Sequence, residues 1–156
     1  MLALAFDPST TSTGWAVYDT QYNDLLEYGS IKPPMKDPIE RIMQIDRQVK
    51  ELLNLWKPEI TLIENLSVTR NARTTILLSG LQVIIEVDCK RRNLLYLPVR
   101  PSEWRKEIGI KGRTRADQKA NTIKYIKEKY KINVNEDEAD AICISEYAKC
   151  LNIEEE

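Results

Sequence analysis

The chain has 156 residues with 23 basic and 24 acidic side chains, and it contains no histidine. This length fits one domain that can bury an adequate core, and the lack of histidine excludes Ser-His-Asp triads and histidine-containing zinc sites. Three cysteines are too few for an all-cysteine zinc site, and we expect buried thiols at Cys89, Cys143 and Cys150. Apolar runs reach only about six residues, so we expect no membrane span, no signal peptide and a cytoplasmic location.

The first part of the chain predicts three strands and a helix. Residues 2–7 are apolar until an Asp-Pro step, which ends the strand because proline cannot donate a ladder hydrogen bond. Residues 13–18 and 25–31 predict the second and third strands, joined by a polar turn. Another Asp-Pro step opens a helix over 37–56, with aspartate as the cap and proline in the first turn.

The second part alternates strands with helices. Residues 59–64 predict a fourth strand, 74–92 a long helix and 94–98 a fifth strand. Three more predicted helices complete the chain, at 101–107, 115–130 and 135–151. This order predicts an α/β fold with a mixed five-stranded sheet flanked by helices. We expect one domain over 1–153, followed by a loose acidic tail at 154–156.

Two acidic residues stand where predicted strands end. Asp7 closes the first strand and Glu64 closes the fourth. Loops at strand ends commonly build active sites, so both carboxylates are candidate site residues. Purely structural roles stay open for both: Asp7 could cap the following turn through the amides of Ser9 and Thr10, and Glu64 could be an ordinary exposed strand end.

Two further candidate acids belong to the last predicted helix. Asp137 and Asp140 are three residues apart and therefore share a helix face. A favourable interaction with the helix dipole explains the position of Asp137 well without any functional role. It does not explain Asp140, which lies one turn further along among small and apolar residues.

These four acids predict a metal site if the fold brings them together. Clustered carboxylates raise one another's pKa values unless a cation is present. An all-oxygen ligand set favours Mg²⁺, with Mn²⁺ as a substitute, over zinc. Two such ions can activate a water molecule and stabilise the leaving oxygen of a phosphodiester.

Charge is strongly segregated along the chain. Residues 90–131 carry 14 basic and four acidic side chains, whereas residues 132–156 carry one basic and eight acidic side chains. A dense basic stretch suits a polyanion, because each neutralised phosphate releases counterions. A solvated helical face would also be rich in charge, but the contrast with the neighbouring acidic segment favours a nucleic-acid partner.

The chain contains three motifs in order: Phe6-Asp7-Pro8-Ser9-Thr10 with Thr13-Gly14-Trp15-Ala16, then Leu62-Ile63-Glu64-Asn65, and finally Asp137-Glu138-Ala139-Asp140-Ala141. Taken together, these motifs resemble the RuvC family of Holliday-junction resolvases in the ribonuclease-H-like superfamily. Their order and spacing match over about residues 1–150. The resemblance implies that the catalytic and metal-binding residues are Asp7, Glu64, Asp137 and Asp140. It also implies a homodimer that nicks two opposed strands of a four-way DNA junction, leaving 5′-phosphate and 3′-hydroxyl ends.

Basic residues ahead of the last helix matter in this family, which gives a set of candidate DNA-binding residues. They are Arg105, Lys106, Lys111, Arg113, Arg115 and Lys119. Arg70 and Arg73 follow Glu64 closely and could reach a phosphate near the metals, although they could equally be solvated loop arginines. The bacterial resolvases place an aromatic wedge soon after the second acid, where this chain has Leu66-Ser67-Val68. This divergence is similar to that of the phage-encoded branch.

The helix over 74–92 is apolar on more than one side, which suits either a two-fold partner surface or burial on both sides.

Two alternative functions remain open: a relaxed nuclease for branched DNA or another ribonuclease-H-like nuclease, and a non-catalytic junction-binding protein. The first loop also resembles the phosphate loop of actin-like sugar kinases. Those enzymes need a second domain and a glycine-rich adenosine site, for which 156 residues and five glycines leave no room.

Overall fold

The computed structural model describes residues 1–66 and 69–151. Within that part, one sheet contains the strands β1 (Leu2–Asp7), β2 (Thr13–Asp19), β3 (Asp24–Ile31), β4 (Ile60–Glu64) and β5 (Leu95–Val99). The helices are α1 (Pro38–Trp56), α2 (Ala72–Arg91), α3 (Pro101–Ile108), α4 (Arg115–Tyr130) and α5 (Glu136–Tyr147), and a 3-10 helix spans Ala148–Cys150.

The strands are ordered β3-β2-β1-β4-β5 across the sheet. β2 runs antiparallel to both β1 and β3, whereas β4 runs parallel to both β1 and β5. This mixed arrangement confirms the predicted fold class. It also places the carboxyl ends of β1, β4 and β5 together at one edge of the sheet.

Alternating side chains of β1 build two separate cores on the two faces of the sheet. Leu4 and Phe6 pack into the core beneath α1 and α2. Ala3 and Ala5 face the other way, into the core beneath α3, α4 and α5. The small alanine side chains let α5 lie close over the centre of the sheet.

The ends of two helices differ from the sequence prediction. α2 begins at Ala72, two residues earlier, because the side chain of Asn71 accepts a hydrogen bond from the Thr74 amide (3.1 Å) and caps the helix. α5 ends at Tyr147 instead of 151, because the chain then tightens into the 3-10 turn.

The end of the described chain corrects one expectation about the thiols. Cys89 and Cys143 are buried as predicted, but Cys150 is exposed because it lies in the terminal 3-10 turn. The acidic tail at 154–156 falls outside the described residues, so the single domain over 1–153 stays a prediction. Within the described residues, no helix combines the length and apolar character needed to cross a bilayer.

Candidate active site

Two carboxylates lie side by side at the ends of neighbouring parallel strands. Asp7 is the last residue of β1 and Glu64 the last residue of β4. Strand side chains alternate between faces, so Asp7 shares the face of Ala5, and Glu64 shares the face of Leu62. Ala5 and Leu62 both pack beneath α3, α4 and α5, which places the two carboxylates at the start of α5.

The first turns of α5 carry the other two acids. The side chain of Asn135 accepts a hydrogen bond from the Glu138 amide (2.9 Å), and the Glu138 carboxylate accepts one from the Asn135 amide (3.0 Å). This reciprocal cap fixes where the helix begins. Asp137 and Asp140 follow on one face of the capped helix, directed at the strand ends.

A glycine permits this close approach of helix and sheet. Gly14 of β2 lies opposite Asp7 in the β1–β2 register. A Cβ atom at Gly14 would overlap the backbone carbonyl group of Asp137. Only a residue without a side chain therefore lets the start of α5 rest against the end of β1.

The four predicted acids line one cavity of about 510 Å³. Three basic side chains also line it: Arg105, Arg115 and Lys119. The cavity combines acids from two strands and one helix with bases from α3 and α4. The fold therefore brings together residues separated by more than 130 positions in the sequence.

Burial and mutual repulsion perturb the acids in this cavity. The pKa of Asp7 is raised well above its usual value, first by burial and then by the negative charges of Glu64, Asp140 and Asp137. Burial, followed by the charge of Glu64, raises the pKa of Asp140 to about 7. Burial also raises the pKa of Glu64, against the opposing effect of a hydrogen bond from Trp104. These carboxylates do not neutralise one another, so the site favours an added cation.

Comparison with known proteins confirms the family resemblance of the three sequence motifs. The family model described as crossover junction endodeoxyribonuclease RuvC matches residues 3–146. A crossover junction endodeoxyribonuclease RuvC from Rickettsia akari is 32% identical over 148 residues, covering 93% of this chain and 94% of the relative. The chain belongs to the RuvC family. Another RuvC, from Petrotoga mobilis, is 26% identical and covers 91% of this chain and 89% of its own length.

Two solved structures show the same fold as this chain. RuvC of T. thermophilus in complex with Holliday junction substrate superposes with a TM-score of 0.78 at 17% identity, with 96% of each chain covered. The yeast mitochondrial Holliday junction resolvase gives a TM-score of 0.63 at 13% identity, covering 94% of this chain and 77% of that one. These likenesses confirm the mixed five-stranded sheet and its flanking helices.

RuvC-family nucleases depend on a divalent metal ion, and the donor chemistry of this cavity fits one. Four carboxylates supply only hard oxygen ligands, which suit Mg²⁺ or Mn²⁺. Within residues 1–66 and 69–151, no three acidic or cysteine side chains are grouped tightly enough, as they stand, to hold an ion. The four carboxylates nevertheless share one cavity, and a cation held among them would relieve their mutual repulsion.

The predicted DNA-binding residues divide into two groups. Arg105, Arg115 and Lys119 line the cavity: the Arg105 guanidinium lies 3.7 Å from a carboxylate oxygen of Asp140, and Lys119 pairs with Glu136. The other five are not among the residues that line it, and all five are exposed: Arg70, Arg73, Lys106, Lys111 and Arg113. The predicted set therefore contains an inner and an outer group.

One residue of the site was missed by the sequence reasoning. The indole N–H of Trp104 donates a hydrogen bond to the carboxylate of Glu64 (3.0 Å). A tryptophan in a short helix is normally interpreted as core, and Trp104 is indeed fully buried. The available signal was its position next to Arg105, which belongs to the predicted basic set.

Proposed function

We propose that the chain is a metal-dependent, structure-specific endodeoxyribonuclease that resolves four-way DNA junctions by paired nicks on opposed strands, leaving 5′-phosphate ends. The observation that carries this proposal is the single cavity lined by Asp7, Glu64, Asp137 and Asp140, next to basic side chains, in a chain of the RuvC family. We infer that it acts in the cytoplasm of a bacterial or phage-infected cell.

We assign the four acids both catalytic and metal-binding roles. Asp7 and Asp140 would hold the ion, with Glu64 and Asp137 completing the site. A bound Mg²⁺, with Mn²⁺ as a substitute, would supply a Lewis acid that activates water and stabilises the leaving oxygen of the phosphodiester. The role of the chain is to hold charged oxygens at fixed strand ends and the start of one helix, which limits the ligand motion that would weaken catalysis.

We assign phosphate binding to the basic residues. Arg105, Arg115 and Lys119 face the cavity, where they can hold the scissile phosphate beside the acids. The outer group extends positive charge over the surrounding surface: Arg70, Arg73, Lys106, Lys111 and Arg113. Phosphate contacts of this kind position DNA without reading its sequence. Recognition should therefore depend on the shape of the junction.

A homodimer would supply the two sites that paired nicks require. The outer face of α2 has an apolar stripe, with Ile76 and Val83 more than half exposed and Val87 partly exposed. Gly80 lies in the same stripe, with open space at the position of its missing side chain. The spacing of four, three and four residues is typical of helix pairing. We infer that two copies pair along α2.

The dimer can be tested by introducing a charge on this stripe. Val83→Glu should convert a dimer into a monomer in light scattering, while Met43→Glu, on the exposed face of α1, should leave the mass unchanged. A monomeric wild-type protein at micromolar concentration, with or without junction DNA, would contradict the pairing.

The decisive experiment compares four-way junction, forked and linear DNA, each with and without Mg²⁺. Paired symmetric nicks in the junction support a resolvase. Scattered nicks in all branched substrates indicate a relaxed nuclease, and binding without cleavage indicates a junction-binding protein.

Asp7→Asn should abolish cleavage while junction binding persists. The control Asp24→Asn, at an exposed acid of β3, should leave both cleavage and binding unchanged. Loss of binding together with cleavage in Asp7→Asn would count against the assignment.

A salt titration tests the basic residues. Replacing Lys111, Arg113, Arg115 and Lys119 by glutamine should flatten the salt dependence of junction binding by roughly one unit of slope per lost contact. A matched variant removes four basic charges elsewhere: Lys32, Lys36, Arg47 and Lys57. Equal slopes for the two variants would remove the first set from the DNA interface.

A further inference from the structure

The position of α3 brings a buried side chain next to one of the four acids. β5 pairs in parallel with β4, and Glu64 lies opposite Val99 in that register. The amide of Asn65 donates to the Val99 carbonyl (2.8 Å), which extends the pairing past the end of β4. α3 begins two residues after Val99, so its first turns lie directly beside Glu64.

The backbone fixes α3 at this position. Pro101 occupies its first turn, and the Arg100 amide donates to the Glu103 carboxylate (3.0 Å). The helix then stops at Gly109, which adopts the left-handed conformation that glycine favours (φ 86°). Trp104, in the middle of this short helix, has little freedom to move along the sheet.

Packing fixes the orientation of the Trp104 ring. The ring is fully buried in the core that includes Ala139 and Ile142 of α5. The guanidinium group of Arg105 lies over the ring, 4.6 Å from its centroid. The indole N–H therefore has a fixed direction, and it donates to Oε2 of Glu64 at 3.0 Å.

Glu64 is thus held at both ends. The side-chain amide of Gln82 donates to its backbone carbonyl oxygen (2.8 Å), and Trp104 donates to its carboxylate. We propose that Trp104 is a positioning residue, which holds Oε2 of Glu64 so that the other carboxylate oxygen is presented to a divalent cation in the cavity. This inference rests on the proposed function and assigns the orienting partner of one of its ligands.

The chemistry of the donor suits this role better than a basic residue would. An indole N–H is a neutral donor that does not ionise, so it orients the carboxylate without cancelling the charge that attracts a cation. A lysine or arginine in hydrogen-bond contact would neutralise that charge. Hydrogen bonds to the ligands of a metal typically change its affinity by about 10-fold or more.

A purely structural role makes a different prediction, because phenylalanine would fill most of the same core space. Trp104→Phe keeps an aromatic ring and removes only the donor and part of the ring. Trp56→Phe is the matched control, since Trp56 ends α1 and packs against the core on the opposite face of the sheet. Replacing Trp104 with benzothienylalanine keeps the bicyclic shape and removes the N–H alone, which covers the case in which Trp104→Phe folds poorly.

The experiment measures Mn²⁺ binding to the DNA-free protein by calorimetry, junction affinity without metal, and the Mg²⁺ concentration that gives half-maximal cleavage. Both Trp104 variants should weaken Mn²⁺ binding and raise the Mg²⁺ requirement by about 10-fold. Metal-free junction affinity should stay within about twofold of wild type, and saturating Mg²⁺ should restore most of the cleavage rate. Trp56→Phe should match wild type in all three measurements.

The outcomes distinguish the positioning role of Trp104 from the proposed function. Wild-type Mn²⁺ affinity in the benzothienylalanine protein would overturn the positioning role and leave the nuclease assignment intact. An equal loss of metal binding in Trp56→Phe would also overturn it, because the effect would then follow from core packing. A wild-type protein that binds no Mn²⁺ would remove the proposed function together with this inference.

Discussion

Two acids on α5, less than two turns apart, are both buried but have opposite surroundings. Asp140 faces Glu64 across the cavity and lies 3.7 Å from the guanidinium of Arg105. Glu146 is fully buried, and its carboxylate accepts hydrogen bonds from four side chains: Tyr125, Lys129, Tyr130 and Lys149. One acid remains undercompensated, while the other is neutralised by the chain itself.

The pKa values follow this difference. Burial and the charge of Glu64 raise the pKa of Asp140 to about 7. Burial alone would raise the pKa of Glu146, but hydrogen bonds from Lys129, Lys149 and Tyr125 outweigh it and lower that pKa. A buried acid compensated within the chain stabilises the fold, whereas an uncompensated one is available to an external cation.

The largest expected effect is that of Asp140→Asn on cleavage. Losing a charged metal ligand should remove about 4 kcal/mol of transition-state stabilisation, which slows junction cleavage on the order of 10³-fold. Without metal, the variant should unfold at the same temperature as wild type or at a higher one, because the repulsion between Asp140 and the other carboxylates of the cavity is gone. Added Mg²⁺ should raise the melting temperature of wild type but not of the variant.

Rate measurements and melting curves with and without Mg²⁺ check this prediction. A variant that cleaves normally would show that Asp140 is not needed. A variant that is destabilised as strongly as a core mutant would show that Asp140, like Glu146, has a structural role, and the comparison between the two acids would fail.

The second-largest expected effect is that of Gly14→Ala, which alters the start of α5, where Asp137 and Asp140 lie. Gly14→Ala should push the start of the helix away from β1, because the new methyl group overlaps the Asp137 backbone. We expect a loss of roughly 1–3 kcal/mol in the free energy of unfolding and a large loss of cleavage. Urea unfolding and a cleavage assay measure both. If Gly14→Ala retains cleavage at low temperature, then catalysis tolerates a displacement of the acids on α5.

Three of the four acids that line the cavity were predicted because each one breaks a local pattern, and Asp137 followed from its spacing of three residues from Asp140. Asp7 ends an otherwise apolar strand, Glu64 ends a mostly apolar one, and Asp140 interrupts the apolar face of a helix. Parallel pairing of the two strands, which the structure shows, brings the carboxylates to one edge. The sequence predicted a mixed five-stranded sheet, whereas the strand order that sets β4 beside β1 came from the structure.

Long-range hydrogen bonds could not be predicted in this way. Trp104 and Glu64 are 40 positions apart, and a buried tryptophan satisfies every local expectation for a core residue. Glu146 lies 16 and 21 positions from its two tyrosine partners and looks like one more acid of an acidic segment. Such partners depend on side-chain directions, which only the packed helices determine.

Glu146→Gln tests the structural acid of the pair. Removing the charge leaves Lys129 and Lys149 without their buried counter-ion, although both are partly exposed and can turn towards water. We expect a loss of about 1–3 kcal/mol in the free energy of unfolding, measured in urea. Cleavage by the folded protein should stay within about twofold of wild type. A loss of cleavage without a loss of stability would place Glu146 in the catalytic machinery.

The smallest effect is the pH dependence of that stability difference. The pKa of Glu146 is lowered in the folded protein, so its ionised form is favoured by folding. Its contribution is present above the usual value of 4.5 and is lost as the pH falls through the lower folded value. The difference in unfolding free energy between wild type and Glu146→Gln should therefore shrink between about pH 6 and pH 3. If this difference in unfolding free energy, measured in urea, stayed constant across that range, the four partners would not stabilise the charge of the Glu146 carboxylate. The comparison isolates Glu146 because the other acids titrate alike in both proteins.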